Sequence, residues 1–184
     1  MVNIYNEGET IKCFDGTNIP KMKIINNSVY KVIETDKSSV GKSGIPFMEP
    51  IVMEYARRMG LPAPLVTDLF VQNGQYIFAT KLLDYVSGKK LLETYPNIKE
   101  DLLQLAEQLR QKYENCGLVR KMDLKDMLFK IENGEIKDII PVDFERLKYN
   151  EKLNWNLIFQ ICEEWNIDLP QQYIEIGKRN KIVF

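Results

Sequence analysis

The sequence contains no histidine. That absence removes Ser-His-Asp and Cys-His nucleophilic catalysis, His-ligated zinc and a histidine pH switch. Cysteine is scarce as well: Cys13, Cys116 and Cys162 are far apart, odd in number and without C-x-x-C spacing. They predict reduced, mostly buried thiols rather than a disulfide framework or a zinc site. Neither sign of charge is in excess, with 25 Lys+Arg against 26 Asp+Glu and a net charge of −1. Nothing in that balance would draw a nucleic acid or an anionic membrane surface. No apolar run approaches the roughly 20 residues that span a bilayer. The opening MVNIYNEGETIK lacks the apolar stretch of a signal peptide. The expectation is a protein of a reducing, cytoplasmic compartment with no nucleic-acid or membrane partner. Phosphate-binding glycine motifs are missing too: there is no G-x-G-x-x-G, and Gly41-Lys42-Ser43 fails as a P-loop because Asp36 stands where its first glycine belongs.

The chain has 184 residues, of which 45% are hydrophobic. That length and composition suit a single domain, 1–184, with a core that needs no metal or disulfide. Short β-type runs fill the first 34 residues, punctuated by Asp15-Gly16, Ile19-Pro20 and Asn26-Asn27, with Ser28–Ile33 the clearest strand. A polar loop follows, then a helix that Pro50 opens and Gly60 closes. Asn73-Gly74 and Asn133-Gly134 each predict a hairpin, over Val66–Leu83 and Met127–Val142. Ser87-Gly88 reads as a break. Leu102, Leu105, Leu109 and Tyr113 recur at helical spacing in Asp101–Cys116, and Leu153–Trp165 and Gln171–Lys178 also read as helices. Strands, one helix, strands and then mostly helices predict an α+β fold in two lobes: a β-rich N-lobe over 1–86, a hinge at 84–88 and a reduced helical lobe over 89–184.

Several residues with chemistry follow one another in an informative order. Lys31 lies in a strand between apolar neighbours, where its ammonium needs a partner. Glu49 opens the next helix, and Glu54 is a rival for the same role. An apolar strand ends at Asp84-Tyr85-Val86-Ser87-Gly88, a polar stretch carries Asp123 and Asp126, and a later strand ends at Val142-Asp143-Phe144-Glu145. Taken singly each has a plain structural reading: a snorkelling lysine, a carboxylate at a helix N-terminus, solvated loop charges, a turn former. Taken in order they supply what phosphoryl transfer uses. A lysine neutralises phosphate, a glutamate aims the lysine, and carboxylates hold Mg²⁺ near the transferring group.

On these residues, over roughly 28–147, the sequence resembles the protein-kinase-like superfamily related to the aminoglycoside phosphotransferases. EPIVMEYARRMGLPAP is similar to the phosphotransferase stretch in which a helix Glu precedes a Gly-Leu-Pro-x-Pro turn. YIFATKLLDYVSGKKL resembles the strand into the kinase hinge, and IIPVDFE the D-F-G or D-F-E segment. In size and texture the chain is similar to the very small secreted effector kinases of enteric bacteria, which would place it in a host cytosol. The resemblance implies ATP and Mg²⁺ as cofactors and a protein partner or substrate. Adenine would lie against the backbone around Asp84–Val86, Lys31 on the phosphates with Glu49 orienting it, and Mg²⁺ on Asp126 and Asp143.

The catalytic loop departs from H-R-D-x-x-x-x-N. Here it reads Val119-Arg120-Lys121-Met122-Asp123-Leu124-Lys125-Asp126. One alignment places Lys121 at the catalytic Asp and removes the base, as in a pseudokinase. The other makes Asp123 the base on a shortened loop. Before Lys31 only Gly8 and Gly16 are available to cover phosphates, which implies weaker ATP binding. Only 41 residues follow Asp143 and none resembles A-P-E, which counts against ordinary peptide docking. Two functions therefore stand side by side: an atypical phosphotransferase, and a catalytically inactive kinase-like binding module.

Overall fold

The computed structural model describes residues 8–12, 18–33, 49–142, 144, 148–169 and 171–180. Cys13, Gly16, Asp36, the Gly41-Lys42-Ser43 stretch and Asp143 lie outside the described residues.

The chain is α+β. Its N-terminal part is a five-stranded antiparallel sheet of β1 (Glu9–Lys12), β2 (Asn18–Ile25), β3 (Ser28–Val32), β4 (Val66–Gln72) and β5 (Gln75–Lys81), in the order β1-β2-β3-β5-β4. Turn chemistry sets the register of its hairpins. Asn26 and Asn27 both have positive φ, as do Asn73 and Gly74. Two successive left-handed residues form the tight turn whose twist matches the flanking strands. Asn133 and Gly134 repeat the device between β8 (Met127–Glu132) and β9 (Glu135–Pro141). All three Asn-containing turn signals of the sequence are used.

Ile19-Pro20, expected at a turn, instead lies within β2. The strand tolerates it because β2 pairs with β3 only from Met22 to Ile25. On its other edge the pairing with β1 is irregular between Thr10 and Lys12, so Pro20 stands opposite no residue in the described register of either neighbour.

The faces of the sheet are sorted by alternation. Tyr30 and Val32 of β3 join Ile77 and Ala79 of β5 in one buried cluster. Phe78 and Ile33 point the other way, into a larger core shared with the helices. Lys31 stands directly opposite Phe78 in the ladder, and cross-strand partners share a face. The lysine is therefore on the helix-covered side. Helix α1 (Glu49–Arg58) covers it, burying Ile51, Val52, Met53, Tyr55 and Ala56 together with Glu49 and Pro50.

The second half holds α2 (Gly88–Thr94), α3 (Lys99–Asn115), α4 (Trp155–Glu164) and α5 (Gln171–Asn180). Two small sheets accompany them: β6 (Val86–Ser87) with β8 and β9, and β7 (Leu118–Val119) with β10 (Lys148–Tyr149). Ser87-Gly88 is not a break but a strand-to-helix junction. The Ser87 hydroxyl caps α2 by accepting from the Lys90 amide at 3.3 Å. Glycine is required next to it, since a Cβ on Gly88 would sit 2.3 Å from the Leu124 carbonyl oxygen. Helix α1 is fastened to this half by Tyr55, whose hydroxyl donates to the Cys116 carbonyl at 2.7 Å and accepts from the Asn154 amide at 3.1 Å. One buried apolar cluster runs from Ile33 and Phe78 through α1 to Tyr113, Phe129, Phe144 and Ile158.

Candidate functional site

A lysine on the covered face of a sheet must find a counter-charge or leave the core. Lys31 finds one: its Nζ lies 2.8 Å from Oε2 of Glu49, with the two side chains 17% and 3% exposed. The first turn of a helix is a favourable place for a carboxylate, because the unpaired backbone amides there carry partial positive charge. Glu54 does not compete. It points away to Arg58, 2.9 Å distant, and Arg58 also bonds Glu164 of α4. Those partners hold the Arg58 guanidinium well above its ordinary pKa.

The second oxygen of Glu49 reaches the other half of the chain. Oε1 accepts from the Phe144 amide at 3.2 Å in a buried contact. Phe144 is 1% exposed, and its ring lies against Tyr113, with centroids 6.2 Å apart. Burial pushes the Tyr113 phenol up, with the Arg120 charge working in the opposite direction.

Asp126 ends a single 3-10 turn, Leu124–Asp126, that leads into β8. Its carbonyl accepts from the Val142 amide at 2.8 Å. Contacts therefore run from Lys31 through Glu49 to Phe144, and separately from Val142 to the Asp126 carbonyl. The residue between Phe144 and Val142 in sequence is Asp143. Asp123 opens the same turn and accepts the Asp126 amide on its carbonyl at 2.9 Å. Its carboxylate lies 3.1 Å from the Lys121 ammonium, on a lysine side chain that is 85% exposed. Lys121 thus projects to solvent at the loop, and Asp123, 35% exposed, is the half-buried member of that pair.

Asp84 and Val86 belong to the segment between β5 and α2. Asp84 is exposed, and Val86 is half-buried and pairs with Phe129 across β6 and β8. No described contact joins either to Lys31 or Glu49; their tie is to the strand that leaves the Asp126 turn. Tyr85 between them donates to Asp138 of β9 at 2.7 Å. Burial, and next that hydrogen bond, push its phenol up to about 12.

Arg120, Tyr113 and Val142 are named in the sequence pattern but are given no role at the site by it. Arg120 donates from Nη2 to the Val142 carbonyl at 2.9 Å, and its guanidinium carbon lies 5.5 Å from the Phe144 ring centroid. An arginine flanked by Val119 and Lys121 carries no local signal of such a contact, which spans 22 residues. Gly8, counted among the possible phosphate-covering glycines, is packed against β2: a Cβ there would lie 2.3 Å from the Ile25 side chain and 2.6 Å from the Ile24 carbonyl oxygen.

Among the described residues no three carboxylate or thiol side chains converge on one point. Magnesium needs fewer, because it commonly takes one or two carboxylates and completes its shell with water and phosphate oxygens. The carboxylates of Asp126 and Asp143 have the hard-oxygen chemistry it prefers. The chain matches no protein-family model, and no curated protein sequence matches it.

Proposed function

We propose that the chain is an atypical, kinase-like phosphotransferase using ATP and Mg²⁺. The observation that carries this reading is the two-sided carboxylate of Glu49, one oxygen on Lys31 and the other on the Phe144 amide. A structural ion pair needs only the first contact. The second ties the cation that would meet the phosphates to the chain beside Asp143.

In this reading Glu49 holds the Lys31 ammonium in a fixed direction, and Lys31 balances charge on the nonreacting phosphates. Adenine lies along the backbone of Asp84–Val86. Asp126 and Asp143 would hold Mg²⁺, which when bound supplies charge neutralisation on the phosphate oxygens. Asp123 is the candidate base, accepting the proton of an acceptor hydroxyl as the new P–O bond forms and the bond to ADP breaks. The acceptor is a hydroxyl of a protein partner.

The second reading, an inactive nucleotide-binding or partner-binding module, draws on two observations. Gly8 is committed to packing on β2, and the Asp123 carboxylate is already engaged by Lys121. One set of measurements separates the two. Mg²⁺-dependent thermal stabilisation by ATP is expected in the wild type and lost in Lys31→Ala and Asp143→Ala, each measured against its own ligand-free midpoint. Transfer of labelled phosphate that disappears in Asp123→Ala supports the enzyme. Stabilisation without transfer supports the binding module, and no stabilisation at millimolar ATP rejects nucleotide chemistry.

A further inference from the structure

We propose that Arg120 is a positioning residue for the chain on both sides of Asp143, and through it for the metal-binding carboxylate; this rests on the function proposed above. Three contacts converge there. Arg120 Nη2 donates to the Val142 carbonyl at 2.9 Å, its guanidinium lies 5.5 Å from the centre of the Phe144 ring, and the Phe144 amide is held by Glu49 at 3.2 Å. Tyr113 backs the same ring.

These contacts divide the work by chemistry. A charge-assisted hydrogen bond from a planar guanidinium fixes the carbonyl of Val142 in direction as well as distance. The same cation over the face of Phe144 resists rotation of that ring. The amide of Val142 is meanwhile held by the Asp126 carbonyl at 2.8 Å. Val142 is thus bound at both its amide and its carbonyl, and Phe144 at its amide and its ring. Arg120 contacts both residues. It sits two residues after β7 begins and four before the Leu124–Asp126 turn, so it also links the loop of Asp123 and Asp126 to the opposite strand. A lysine in its place would keep the charge and one donor but lose the fork and the flat stacking surface.

The test compares Arg120→Met and Arg120→Lys with the wild type in two ways. The first needs no ligand. Amide hydrogen exchange at Phe144 is expected to accelerate about tenfold in Arg120→Met, and less in Arg120→Lys, while the Ile77 and Ile161 amides keep their protection. The second compares ATP affinity with and without Mg²⁺. Metal-free affinity, which depends on Lys31 and Glu49, is expected to stay within about twofold, while the Mg²⁺-dependent gain falls about tenfold in Arg120→Met and is partly restored by Arg120→Lys. Unchanged exchange at Phe144, or equal acceleration at Phe144, Ile77 and Ile161, overturns the positioning role. So does an equal loss of affinity with and without metal. If the wild type binds no ATP, the proposed function fails, and the exchange experiment still decides whether Arg120 fixes the Phe144 amide. Should Arg120→Met not fold, the same comparisons on Arg120→Lys decide the matter.

Discussion

Glu49 holds Lys31 at 2.8 Å across the interface between the sheet and α1, on the face of β3 that alternation assigns to the core. The geometry makes the pair unequal. The glutamate is almost wholly buried and the lysine retains some access to water. Removing the lysine leaves a carboxylate in the core without its cation, whereas removing the glutamate leaves an ammonium that can turn outward. Breaking a buried pair from one side costs about 3–5 kcal/mol, and less where the stranded charge reaches solvent. Lys31→Met is therefore expected to destabilise by about 3 kcal/mol, and Glu49→Gln by about 1–2 kcal/mol because glutamine can still accept from Phe144. The double variant should be more stable than Lys31→Met alone, by urea denaturation. Additive losses in that cycle would mean that the two side chains are not coupled.

Gly88 and Gly134 separate two reasons for glycine. Gly134 has φ +77° and open space where a Cβ would go, so Gly134→Ala incurs only the left-handed backbone penalty, about 1–2 kcal/mol. A Cβ on Gly88 would meet the Leu124 carbonyl oxygen at 2.3 Å and the Phe129 ring at 2.8 Å. Backbone on one side and a fully buried ring on the other leave nothing that can yield. Gly88→Ala is expected to cost about 3 kcal/mol and to displace the Leu124–Asp126 turn, visible as shifted amide resonances over 123–127. A smaller loss in Gly88→Ala than in Gly134→Ala would overturn the steric account.

Tyr55 carries a third prediction. Its hydroxyl donates to Cys116 and accepts from Asn154, joining α1 to the end of α3 and the start of α4. Phenylalanine fills the same space but leaves a partly buried carbonyl and a partly buried amide without this partner. Tyr55→Phe should lower stability by about 1–3 kcal/mol in thermal or chemical denaturation, with little change in near-native packing. A neutral outcome would show that water replaces the hydroxyl at both groups.

Local signals were legible where physics acts over a few residues. Asn73-Gly74 and Asn133-Gly134 marked hairpins because consecutive left-handed residues suit few side chains, and Gly117, with φ +87°, follows the end of α3 in the same left-handed region. The Lys31–Glu49 pair was legible as a candidate because a strand lysine among apolar neighbours demands a partner, though Glu54 stayed in contention. What decides between them is which face α1 turns to the sheet, and that is a tertiary fact. Helix α2 was missed because Ser-Gly reads equally as a break or as a cap followed by a close approach. Only the Leu124 carbonyl, 36 residues later in the chain, shows which it is. Arg120 was hidden for the same reason: its partners are Val142 and Phe144, and nothing in its immediate neighbours points to them.

Tyr85 gives a pH dependence with a definite sign. Burial first, and the hydrogen bond to Asp138 second, push its phenol up to about 12, against about 10 for a tyrosine in an unfolded chain. A group whose folded pKa is raised contributes stability that is fully present below the unfolded value and is lost as pH rises through the folded one. Wild type and Tyr85→Phe should therefore differ by a constant amount below about pH 10, and that difference should shift against the wild type as the pH rises towards about 12. The chain has nine tyrosines, so the phenolate absorbance of wild type minus Tyr85→Phe isolates this one. Asp138→Asn should bring the isolated titration down but not back to about 10, since burial is the larger cause. A titration of Tyr85 at the unfolded value in the wild type would mean that the phenol is neither buried nor bonded to Asp138 in solution. The link from the segment after β5 to β9 would then be absent.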